Sequence, residues 1–289
     1  MNSIRRMVPS SNQLGEGSVW DADEQSLYWV DILGKKLQRF HAPSGAVRVW
    51  DLPERLASFA LRGDGDLVCA FASGFAFFDL ETGRIDWIAR PEADVPGNRL
   101  NDGKCDPQGR FWAGSMNEAD GAHTGALYRL DPDRSVHRMD DGIAISNAIC
   151  WSPDGRRLYF ADTPDREIRA YDFDAKSGTI TNKRRFAAVP GPGYPDGATV
   201  DAEGYVWNAE WDGWRVVRYA PDGTVDRVLE VPVQRPTCCA FGGRDLRTLY
   251  ITTAISDLDA AAQERQPWAG SLLAVDLDVA GLPSTRFAG

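Results

Sequence analysis

Short apolar and aromatic runs alternate with polar turns along the whole chain, at a spacing too tight for helices. One unit recurs: a turn of Asp, Gly, Pro or Glu, then a strand of aromatic or β-branched residues. Its copies read DADEQSLYWVD (21–31), RGDGDLVCAF (62–71), DPQGRFWAGS (106–115), SPDGRRLYFAD (152–162), DAEGYVWNAE (201–210) and GRDLRTLYITT (243–253). Equivalent strand positions fall on Tyr28, Val68, Trp112, Tyr159, Trp207 and Tyr250, at intervals of 40, 44, 47, 48 and 43 residues. After each copy comes a second alternating strand ending in a turn, at 35–45, 74–83, 125–135, 166–178, 214–223 and 270–281. Four strands in each such interval is the signature of a propeller blade. The pattern therefore predicts an all-β, six-bladed β-propeller with four-stranded antiparallel blades, as one domain over residues 1–289. The first ten residues precede blade one and are expected to pair with the last blade, closing the ring and covering its exposed edges.

The repeat changes the meaning of individual residues. Pro195-Asp196-Gly197 reads locally as a tight turn, but it is out of phase with the PDG turns at 153–155 and 221–223 and falls at the start of an inner strand. Five residues before each turn stand Glu16, Ala57, Asn101, Asn147, Asp196 and Cys238. Inner strands line the channel of a propeller, so these positions form a ring about its axis, and four of them carry side-chain oxygens. Glu16, Asn147 and Asp196 together suit a hard or borderline divalent cation: calcium, magnesium, manganese, iron(II) or zinc. Two carboxylates crowded into a channel otherwise repel, and one is driven to take a proton. Trp211, just beyond its strand, is placed to wall a ligand at the same mouth. Cys238 shares the ring position and reads as a small apolar filler.

Composition narrows the partners. A formal charge of −10 argues against nucleic acid and against an anionic membrane surface. No apolar run follows the arginines of MNSIRRMVPSSNQLGEG, and no stretch is long enough to span a membrane, so a cytoplasmic setting is expected. The 5 cysteines lack CxxC spacing, which speaks against a disulfide framework or a thiolate zinc site. His41, His123 and His137 read as surface groups in an outer strand, a loop and an outer strand. With no G-x-S-x-G motif and no histidine in the ring, a serine hydrolase is not supported.

The segments LGEGSVWD (14–21), RLNDGKCDPQGRFWAGSM (99–116), SNAICWSPDGRRLYFADT (146–163) and YPDGATVDAEGYVWNAEW (194–211) resemble the SMP-30/gluconolactonase/regucalcin family over nearly the whole chain. The resemblance implies a six-bladed propeller with a divalent metal in its channel and hydrolysis of an aldonolactone, a small sugar lactone. It carries metal binding onto Glu16, Asn147 and Asp196, and substrate contact onto Arg99 and Asn101. The family's acidic loop corresponds to Asn117-Glu118-Ala119-Asp120, where the sequence departs from the family pattern, so Glu118 enters as a looser substrate contact. Asp196, able to ligate and to touch water, is the expected general base. The alternatives on this scaffold are a metal-dependent esterase or phosphotriesterase, and a non-catalytic calcium-binding propeller.

Overall fold

A computed structural model describes residues 3–63 and 65–289. Six four-stranded antiparallel sheets succeed one another along the chain. Their inner strands are Gly15–Asp21, Leu56–Leu61, Asn98–Cys105, Ser146–Trp151, Tyr194–Val200 and Pro236–Gly242. Each marker residue of the repeat lies on the strand hydrogen-bonded to an inner strand, and the PDG at 195–197 lies within an inner strand.

The predicted closure is present: Arg5–Val8 pairs antiparallel with Leu272–Asp276 as the outermost strand of blade six, with Arg5 opposite Ala274. Arg5 donates to both carboxylate oxygens of Asp276, at 2.6 and 2.9 Å. One detail differs from the sequence reading: a short helix, Ala260–Arg265, interrupts blade six between Thr248–Thr253 and Leu272–Asp276, started by Asp259, whose side chain accepts from the Ala262 amide. His41 ends the third strand of blade one, Lys36–His41.

The outermost strands are largely exposed. Inner and second strands such as Ser26–Asp31 and Leu67–Phe71 are buried on both faces, because each blade packs against two neighbours. The core accordingly splits into six apolar clusters, one at each junction between successive blades. At the junction of blades three and four, Trp112 meets Trp151 and Phe173 edge-on at 5.9 and 6.0 Å. Such rings bring specific geometry as well as buried area, so the blades are fixed in angle and the channel in width. No described helix is long and apolar enough to cross a membrane.

Candidate active site

All six inner strands break register at the same level, between Glu16 and Val19, Leu56 and Ser58, Leu100 and Gly103, Asn147 and Cys150, Pro195 and Ala198, and Pro236 and Cys239. A bulge inserts residues that the ladder does not pair and re-aims their side chains. The residues after Glu16 and Asn147 are left-handed: Gly17 at φ 58° and Ala148 at φ 59°. For a fully buried Ala148 that conformation costs about 1–3 kcal/mol, strain held beside Asn147 by the packed blades. Gly197 is needed for a different reason, since a Cβ there meets Cys238 Cβ and Sγ at 2.7 Å.

The bulges bring most of the predicted residues together. Glu16 and Asp196 are buried and come within hydrogen-bonding reach of each other; Glu16 also accepts from the Gly17 amide at 2.9 Å. Burial first, and the neighbouring Asp102 second, push Glu16 up to about 8. Burial and the charge of Glu16 drive Asp196 well above the carboxylate range.

Asn147 Nδ2 donates to Thr163 Oγ1 at 2.8 Å, and Thr163 Oγ1 donates onward to the Pro195 carbonyl at 2.8 Å. Because the hydroxyl proton is spent on Pro195, the Thr163 oxygen can only accept from Asn147. This fixes the amide with Oδ1 toward Asn101, whose Nδ2 lies 3.4 Å away.

Arg99 is anchored on three sides. Its Nε donates to Glu118 Oε1 at 2.5 Å, and its Nη1 to the Leu100 carbonyl and to Asn101 Oδ1 at 3.0 and 2.6 Å. Its Nη2 makes no hydrogen bond to the described residues and stays available to a ligand. Glu118 is clasped from the other side by Arg55, bidentate at 3.0 and 2.9 Å.

Trp211 stands apart from this group. It is paired with Tyr194 at the same end of blade five, and the Arg235 guanidinium lies 4.5 Å over its ring. It stands at the end of its strand, half-buried, with no hydrogen bond to the other candidates among the described residues. Cys238 is buried, with the Ser18 hydroxyl 3.5 Å from its sulfur, as a wall of the channel. His123 and His137 are exposed, 3.4 Å from Asp162 and 3.2 Å from Asp131 respectively.

Three contributors escape the sequence reading. Asp102, next to Asn101, is buried, accepts from the Ile149 amide at 2.9 Å and is raised by burial. It shares the bulge that turns Asn101 inward, and the two-residue width of that bulge has no mark in sequence. Thr163 lies beyond its strand, and Arg55 in the loop before blade two, outside every repeat position.

Among the described residues no three His, Cys, Asp or Glu side chains converge as a metal cluster. The candidate donors are two carboxylates and one amide oxygen. Two buried carboxyl groups in mutual contact, with no salt bridge to either among the described residues, have the donor chemistry of a divalent-cation site, since a cation removes their repulsion. The Asn147 amide oxygen, turned toward Asn101, is a neutral oxygen donor at the same level of blade four.

The sequence profile of the SMP-30/Gluconolactonase/LRE-like region matches residues 14–255. The L-arabinolactonase of Azospirillum brasilense is 41% identical over 98% of this chain and 95% of its own length. Regucalcin of Gallus gallus is 38% identical over 100% of both chains. The crystal structure of a calcium-binding protein, regucalcin, from Agrobacterium tumefaciens superposes with a TM-score of 0.95 at 33% identity, over 100% of this chain and 98% of that one. With its six blades and this ring of channel residues, the chain belongs to the SMP-30/gluconolactonase/LRE-like family.

Proposed function

We propose that this protein is a sugar lactonase that opens an aldonolactone to the aldonic acid at the channel mouth, with a divalent cation held by Glu16, Asn147 and Asp196. The observation that carries the reading is the pair of buried carboxyl groups, Glu16 and Asp196, facing an anchored Arg99 that keeps one donor free. A lactonase among its relatives at 41% identity supports the same reaction class.

A cation bound there supplies Lewis-acid polarisation of a carbonyl and favours ionised carboxylates. The chain's own groups do the rest. Arg99 Nη2 hydrogen-bonds the lactone and faces the charge that develops on its carbonyl oxygen, while Glu118 and Asn101 hold the guanidinium still. Asp196 accepts a proton from the attacking water as the new C–O bond forms. The ring ester C–O bond then breaks, and the proton passes from Asp196 to the departing alkoxide, which becomes a hydroxyl of the open acid. Trp211 walls the mouth.

The test is a set of aldonolactones assayed against protein stripped with a chelator and then resupplied with one divalent ion at a time. Hydrolysis lost on stripping and restored by an ion is the expected result. No rate above spontaneous ring opening for any lactone with any ion overturns the reading.

A further inference from the structure

A space partly open to solvent lies on the channel axis, below the carboxylate ring. It is a cavity of about 210 Å³ built by the turn-proximal ends of the inner strands, with Phe59, Trp151, Val200 and Phe241 among its walls. Its roof is the C-terminal segment 282–285. That segment is tied down on both sides: Gly281 donates to the Leu246 carbonyl at 2.8 Å, and beyond the roof the Phe287 amide donates to Leu61 at 2.8 Å. Arg286 reaches Asp21 and Asp23 at 2.9 and 3.0 Å. Residues 282–285 themselves make no hydrogen bonds to the described residues and cover only part of the opening.

Among the described residues lining this cavity, Lys104 alone carries a charge, since burial holds the Cys105 and Cys150 thiols neutral. Its Nζ donates across the channel to the Ala198 carbonyl at 2.6 Å. An ammonium has three donors, so two remain. Asp102, on the same strand, offsets the charge from above but accepts no hydrogen bond from Lys104.

We propose that this cavity is a binding site for a small carboxylate with an apolar body, its charge on Lys104 and its body against Phe59, Trp151, Val200 and Phe241. Size fits the class. An apolar cavity of about 150 Å³ accepts benzene, so this one has room for a ring and a carboxylate. The site is separate from the lactone mouth, on the other side of the ring formed by Glu16, Asn147 and Asp196, and takes a ligand of opposite polarity to a sugar.

Calorimetric titration of the full chain with benzoate, and with uncharged benzamide, tests the assignment. Benzoate is expected to bind and benzamide to bind at least about tenfold more weakly, as is benzoate to Lys104→Met. Ser284→Trp, on the exposed roof, fills the space from above and is expected to abolish benzoate binding even if Lys104→Met fails to fold. Arg99→Met, which disarms the upper mouth, leaves it intact. No benzoate binding, equal binding of benzamide, binding lost in Arg99→Met, or binding unchanged in Ser284→Trp overturns the proposal.

Discussion

Glu16 of blade one and Asp196 of blade five meet across the channel within hydrogen-bonding reach, both buried, and neither forms a salt bridge among the described residues. Such a pair weakens the fold by itself, and the cation of the proposed function offsets that cost. Asp196→Asn removes the repulsion while keeping the shape. After chelation, this variant is expected to melt at a higher temperature than chelated wild type, while its lactone turnover falls about 10²–10⁴-fold. A variant that is less stable and still active sinks the assignment of both groups.

Thr163 holds Asn147 rather than any ligand. Losing its hydroxyl frees the Asn147 amide to rotate and present nitrogen where oxygen is needed. Thr163→Val is expected to weaken manganese binding about 10–100-fold, and Thr163→Ser to restore it. A purely structural role instead lowers the melting temperature and leaves the manganese isotherm unchanged.

The six blades were legible because turn chemistry and strand composition repeat in phase, and Asp196 could be separated from an ordinary PDG turn on that ground alone. What the repeat could not carry was anything used once. Arg55 sits in the loop just before an inner strand, where Arg235 holds the same place in blade six but reaches Asp212 instead; only Arg55 is bidentate on Glu118 and so braces Arg99. Asp102 lay next to a chosen residue but off the counted position, because a bulge turns more than one side chain inward at that level. The helix Ala260–Arg265 is an insertion within blade six, and its six residues leave no amphipathic period to detect. Trp211, at a strand end, carries the Arg235 guanidinium 4.5 Å over its ring, a stacking partner from the next blade that no counted position marks.

Glu118 gives the site a pH dependence of known sign. Burial works to raise its pKa, but Arg99 and Arg55 together hold it below the usual carboxylate range. A depressed carboxylate contributes stability that is present above its unfolded value, near 4.5, and is lost as pH falls through the folded one. Wild-type melting temperature is therefore expected to drop on acidification below about 4.5 more steeply than that of Glu118→Gln. The same variant leaves Arg99 less constrained, so its kcat/KM at neutral pH is expected to fall by roughly tenfold, equivalent to about 1.4 kcal/mol. Parallel acid slopes in the two proteins count against the clasp.

Far from the mouth, Asp201 is the peg on which the turn of blade five hangs. It is fully buried; Oδ1 accepts the Glu203 and Tyr205 amides at 3.0 Å each, and Oδ2 accepts Trp207 Nε1 and Arg218 Nε at 2.8 Å each. Asp106 repeats the arrangement in blade three with Trp112 at 3.0 Å and Arg110 at 2.5 Å. An asparagine has the same shape but only one accepting atom, so Asp201→Asn must abandon either the two backbone amides or the tryptophan and the guanidinium. Either choice strands buried donors, and the second leaves Arg218 with Glu203 and Asp226 but without its buried partner. The expected cost is about 3–5 kcal/mol in denaturant unfolding. Asp226→Asn removes a partly exposed partner of the same arginine and is expected to cost about 1 kcal/mol or less. Since both positions lie away from the carboxylate ring, lactone turnover per folded molecule should be unchanged. An Asp201→Asn protein within 1 kcal/mol of wild type would mean that the blade is held by its aromatic junctions alone.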